Sequence, residues 1–303
     1  MSTPASLGAV YDRGYRPYEG QRGDRRAAGF ALYRASLRRA IGLRRPWRQK
    51  IMPALLLAIA TVPALVEVGI GYVTRDSPLT HFSVITYRGY VGVSSALILF
   101  VALVAPDIVC PDRRQRVLSL IFARPITGRE YALAKVGAIF TCVFAFSFLP
   151  QVVLFVGQAL VDKGGSLTYV GKHANILWQV PLACAVLAIF YAMVGIAVAS
   201  LTGRRIVAAA TMLGLTLITS TVSSGLIEAS HGGRFSRSGS PAALINLIQL
   251  PLQVRDLIFL GHIGTDSKLF GVTSGGVMAV ALYVFIVVLS GGIILRRYRS
   301  VEI

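Results

Sequence analysis

The sequence predicts an all-α, polytopic membrane protein, and three observations support that prediction. Apolar runs long enough to cross a bilayer recur along the chain, and Arg and Lys cluster at alternating ends of those runs. The third is composition: 54% of the 303 residues are hydrophobic and only 15% are charged. A soluble domain with that balance would lack the polar side chains to cover its surface. A formal net charge of +18 would suit a nucleic-acid binder, but the basic residues flank apolar runs instead of forming a polar domain. Topology accounts for them, and no nucleic-acid partner is expected. Cys110, Cys142 and Cys184 have no paired spacing, so neither a disulfide nor a metal framework is implied. The basic first fifty residues lack the apolar core and small-residue cleavage site of a signal peptide, which leaves the first span as the insertion signal.

Residues 1–50 are read as a cytoplasmic tail and an interfacial helix. The opening is polar and Gly-rich, with YDRGYRPYEGQR at 11–22 its distinctive stretch. From 24 to 45 a helix is expected with Phe30, Tyr33, Leu37, Ala40 and Ile41 on one face and Arg34, Arg38, Arg39 and Arg45 around it. That pattern suits an elbow helix lying flat in the headgroup layer with its Arg heads snorkelling, the alternative being a soluble helix packed on a cytoplasmic partner.

Residues 51–295 form the six-span domain. The first span, 51–73, rises about 34 Å at about 1.5 Å per residue. Glu67 lies in its outer third, facing either a partner helix or wet cavity or else the outer headgroups. The second span, 87–109, is expected to end at Pro106 and Asp107. The third runs from 131 to 161 with Pro150 as a kink site, and 162–173 makes an outer loop. The fourth, 174–201, leads to the tight turn TGRR. The fifth, 206–227, places Thr216, Thr219, Ser220, Ser223 and Ser224 at helical spacing, a hydroxyl stripe that could line a path or pack against another helix.

Residues 241–262 are apolar, but Pro251, Arg255 and Asp256 argue against a crossing. Two short re-entrant helices shielded by protein fit better. The sixth span, 273–295, opens with Gly271 and Gly275 at small-xxx-small spacing, and 296–303 is a cytoplasmic tail rich in Arg. With six spans both termini lie inside, and 23 of the 31 basic residues fall on the cytoplasmic side. The positive-inside rule favours that orientation at the cell membrane.

Between the second and third spans, residues 110–130 form an Arg-dense loop holding a helix too short to cross. Asp112, Arg113, Arg114 and Arg116 precede Val117, Leu118, Leu120 and Ile121, whose spacing makes one helical face. Pro125 stops that helix, and Thr127 with Glu130 stands at capping-box spacing ahead of the third span.

Signals for chemistry are missing. Residues 165–173 have one residue too many between glycines for a phosphate-binding loop and end in His, so ATP hydrolysis by that route is excluded. His81, His173, His231 and His262 are scattered without metal-ligand spacing. No catalytic residue and no cofactor of this chain's own is expected.

The loop resembles the first cytoplasmic loop of permease subunits of type 2 ATP-binding-cassette (ABC) exporters. Asp112, Leu120 with Ile121, Pro125, Glu130 and Lys135 stand where that family has an acidic residue, paired apolar residues, a Pro, a Glu and a Lys. The elbow helix, the six spans, the short turn after the fourth and the re-entrant segment extend the resemblance over most of the chain. The stretch 11–20 also looks like openings found in a subset of these permeases. One departure is that Arg116, Val117, Leu118 and Ser119 replace the family's usual Gly-Thr-Leu-Glu.

The resemblance implies an exporter subunit that is not itself an enzyme. It would form a homo- or heterodimer with a second permease chain and bind two cytoplasmic ATPases that hold ATP and Mg. Asp112, Arg113, Arg114, Arg116, Val117, Leu118, Leu120, Ile121 and Glu130 would meet the ATPase through a coupling helix. Glu67 and the fifth-span hydroxyls would lie on the translocation path or dimer interface, and an apolar or amphipathic cargo would move outward among membrane lipids. Two other classes stay open: a membrane-embedded lipid-modifying enzyme using Glu67, Glu228, Arg255 and Asp256, and an ion-coupled carrier or channel.

Overall fold

The computed structural model describes residues 24–42, 47–74, 85–90, 94–115, 117–123, 126–230 and 239–299. The stretch 11–22, Arg45, most of the first expected outer loop, Arg116, Pro125 and the tail after Arg299 lie outside them. Every described element is helical: α1 (Arg25–Ala40), α2 (Trp47–Val73), α3 (Tyr87–Tyr90), α4 (Ser94–Arg114), α5 (Leu118–Phe122), α6 (Gly128–Val161), α7 (Ser166–Lys172), α8 (Ala174–Leu201), α9 (Arg205–Ser230), a 3-10 helix (Pro241–Ile245), α10 (Gln249–Leu260) and α11 (Gly275–Arg299). Five of these, α2, α6, α8, α9 and α11, are long and apolar enough to cross a membrane.

Helix α8 is the hub. It packs against α4, α6, α9, α10 and α11, and 72% of its membrane-length stretch is buried, compared with 22% for α2 and for α9 and 17% for α11. Its small residues allow that position. A Cβ on Gly195 would lie 2.5 Å from a methyl of Val101 and 3.3 Å from Ala105, so α4 and α8 meet almost backbone to backbone. Gly157 does the same for α2 and α6, where a Cβ would overlap Val68.

Contacts sort the helix termini into two ends. At one, Tyr131 near the start of α6 meets Tyr298 near the finish of α11, and Arg113 at the finish of α4 donates to the Ser200 carbonyl near the finish of α8. At the other, Tyr87 of α3 donates to Gln158 Oε1 (2.6 Å) and shares a hydrogen bond with Tyr169 of α7 (2.9 Å). Arg88 there reaches Asp266 (2.6 Å) and Asp256 (3.4 Å). Helix α4, at 21 residues, is also long but is not among the five.

Several expectations require correction. Helix α4 does not stop at Pro106 and Asp107 but continues through Pro111 to Arg114. Each proline forfeits one backbone bond, but the buried face of Val101, Ala105, Ile108 and Val109 holds the helix in place. Residues 87–90 are helical, with 91–93 outside the described residues, and the 162–173 loop contains α7.

In the 241–262 segment two short helices do form, but the break is not at Pro251, which sits in the first turn of α10 where its missing N–H costs nothing. The chain turns at Asn246, whose Oδ1 accepts from the N–H groups of Ile248 (2.9 Å) and Gln249 (3.3 Å). Gly271 and Gly275 are not a helix-packing pair. Gly271 takes φ +93° in a turn, and Gly275, the first residue of α11, packs on Leu269.

Helix α1 packs along α6 and touches α4, so its apolar stripe is divided. Tyr33 shares a hydrogen bond with Thr141 (2.9 Å) and Ala40 is buried, whereas Phe30 and Ile41 remain exposed.

Candidate functional site

The loop between α4 and α6 is held by a buried charge cluster at its base. The Asp112 carboxylate, only 3% exposed, accepts from Arg39 Nη1 at 2.7 Å, Lys135 Nζ at 2.6 Å and the Tyr131 hydroxyl at 2.9 Å. Lys135, 2% exposed, also donates to the Ile108 carbonyl at 3.1 Å and lies 5.2 Å from the centre of the Tyr131 ring. Tyr131 packs on Tyr298 and Phe122 with centroids 4.8 and 5.9 Å apart. This group joins α1, α4, α5, α6 and α11. A buried carboxylate with two cations and a hydroxyl is well satisfied, and breaking it leaves an uncompensated charge.

The second stalk of the loop is the capping box. Thr127 Oγ1 accepts from the Glu130 N–H, and Glu130 Oε2 accepts from the Thr127 N–H at 2.9 Å. Glu130 Oε1 pairs with Arg25 Nε at 2.7 Å. Two acids expected to meet a partner are thus engaged within the chain, Asp112 deeply and Glu130 at a half-buried position.

Between these stalks α5 turns Leu118, Ile121 and Phe122 toward the core and leaves Leu120 72% exposed. The expected four-residue apolar plug is therefore not a single outward face. Val117 is half-buried, Arg113 is tied to Ser200, and Arg114 is exposed. Arg116 lies outside the described residues.

The hydroxyls of α9 mostly satisfy backbone carbonyls. Thr216 donates to Leu213 (2.8 Å), Thr219 to Leu215 (2.9 Å) and Ser224 to Ser220 (3.0 Å). Ser223 bonds the Ala242 carbonyl at 2.9 Å and Ser220 Oγ accepts from Asn246 at 3.4 Å, tying α9 to the 3-10 helix and the turn after it. Thr216 and Ser223 are buried while Ser224 is exposed, so the five do not form one open stripe. Glu67 is buried on α2, and its Oε2 has no hydrogen-bond partner among the described residues.

The groups considered for lipid chemistry do not converge. Arg255 and Asp256 pair with each other at 2.8 Å, Asp256 also pairs with Arg88, and Glu228 is exposed. Among the described residues no cluster of His, Cys, Asp or Glu could hold a metal ion, and the three cysteines are buried and free. At the opposite end, burial raises the Tyr169 hydroxyl above its ordinary pKa, against a hydrogen bond with Tyr87 that lowers it.

Sequence reasoning placed the loop but not what it hangs from. Arg39 reads in the sequence as a snorkelling cation and Tyr131 as the start of a span, Tyr298 has no assigned role, and Lys135 enters only through the family pattern. The usable signal was a lone Lys in a long apolar run, which needs an anion, with Asp112 the nearest acid across the loop.

Together these features define an all-α, polytopic helical membrane protein. No protein-family model matches the chain, and no curated protein matches it.

Proposed function

We propose that this chain is the permease subunit of an ABC exporter, with α4 acting as a sixth span and α5 as the coupling helix. The observation that supports the reading best is the construction of the loop. A single-turn helix exposing Leu120 is suspended between two long helices, and each stalk is fastened by buried or capped charge. A lever has to be stiff at its base, and such a base transmits displacement of α5 into α4 and α6. Asp112 and Glu130 then act by setting the position of α5, and Leu120 is the side chain a partner meets.

The motor is a separate pair of cytoplasmic ATPases, which supply ATP and Mg. Their closure shifts the spans between inward and outward access for an apolar or amphipathic cargo. The resemblance pairs the first and fifth spans with a second permease chain. The apolar faces of α2 and α9, like that of α11, are mostly uncovered and open to lipid or to another chain. The basic end, where α1 and the finish of α11 also lie, would face the cytoplasm.

Leu120→Asp tests the reading. The variant is expected to insert normally and to lose co-purification with the ATPase from the native membrane, together with vanadate-sensitive ATP hydrolysis. Unaltered co-purification would count against coupling through α5.

A further inference from the structure

A second feature of the basic end lies beside the loop. Where the finish of α4 approaches the turn from α8 to α9, an open groove of about 1240 Å³ is lined by Arg113, Arg114, Arg204 and Arg205. Two of the four guanidiniums are held within the protein, Arg113 by the Ser200 carbonyl and Arg205 by Asp107 at 2.9 Å. Arg114 and Arg204 are exposed. The groove therefore presents four cations against one carboxylate, and the positive end of the 26-residue α9 opens onto it.

The groove is also lined by the apolar Ile206 and Val207. Ile206 is 84% exposed and Val207 and Leu201 are also exposed, on the termini of two helices long enough to cross a membrane. In a bilayer the ends of two such helices come close to the boundary between headgroups and acyl chains. A water-soluble acidic partner would satisfy the arginines but leave Ile206 unmatched.

We propose that this groove binds the phosphate of an anionic phospholipid, with Arg114 and Arg204 on the headgroup and Ile206 beside the acyl chain. A phosphodiester takes the paired N–H groups of guanidinium well, and basic pockets between membrane helices suit such headgroups. The inference requires only the membrane fold and stands or falls independently of the exporter reading.

The experiment uses the full chain, with any co-purifying ATPase, in phosphatidylcholine nanodiscs doped with phosphatidylglycerol. After extraction, lipid retained per chain is measured by native mass spectrometry. The wild-type chain is expected to retain phosphatidylglycerol over phosphatidylcholine. Arg204→Gln should lower that retention about fivefold and Arg114→Gln with Arg204→Gln about thirtyfold, from the contribution of each cation near an anionic surface. Arg204→Lys should preserve most of it.

Equal retention of the two lipids, or retention unchanged in the double variant, overturns the proposal. So does complete displacement by inorganic phosphate, which would make the groove a site for the free ion. Loss of the co-purifying ATPase with lipid retention intact would assign the groove to protein docking and overturn it as well.

Discussion

Asp112 shows how one side chain can have a role its sequence position does not reveal. In an Arg-rich loop it reads as surface charge, but the fold buries it between Lys135, Arg39 and Tyr131. Removing one partner of a buried pair leaves the other charge desolvated, so Lys135→Met should destabilise the protein by about 3–5 kcal/mol. Combining it with Asp112→Asn should cost clearly less than the sum of the two single variants. Thermal unfolding in detergent measures both, and simple additivity would show that the two groups do not interact. Leu120 makes the opposite case. Being exposed, Leu120→Asp should stay within about 0.5 kcal/mol of wild type, which keeps its effect on partner binding separable from folding.

At the scale of elements, the apolar runs predicted where helices form but not how they approach one another. The α4–α8 contact depends on Gly195, where a Cβ would already press on Val101. Gly195→Leu should therefore cost about 1–3 kcal/mol through overpacking, whereas Gly214→Leu, with nothing within 4 Å of its Cβ, should be nearly neutral. Melting temperatures of the two variants check this, and equal effects would mean that close approach is not what Gly195 provides. Helix α5 divides in the same way, because Leu118 and Ile121 are held inward while Leu120 points out. Helical spacing placed all of them on one face because it ignores the stalks, which set how the turn is rotated. Likewise Pro106 reads as a helix end, but packing against α8 outweighs the backbone bonds lost at Pro106 and Pro111.

For the whole molecule, the contacts divide the exposed termini into two ends. Single cysteines at Arg129, Arg204 and Arg299 should react with an impermeant maleimide from one side of a sealed membrane, and cysteines at Lys163 and Lys268 from the other. The native cysteines are buried and give a low background. A mixed pattern would break the two-ended arrangement, and labelling of position 129 from outside would remove the orientation that the exporter reading needs. The all-α class, the long apolar helices, the capping box at Thr127 and Glu130, and the short helices within 241–262 were all legible in the chain. Hydropathy and periodicity are properties of neighbouring residues, and a helix in lipid must satisfy its own backbone. The charge cluster at the base of the loop, the groove shared by Arg114 and Arg204, and the pairing of α9 hydroxyls with the 3-10 segment were not. Each joins side chains far apart along the chain, and such meetings come into being only when helices pack.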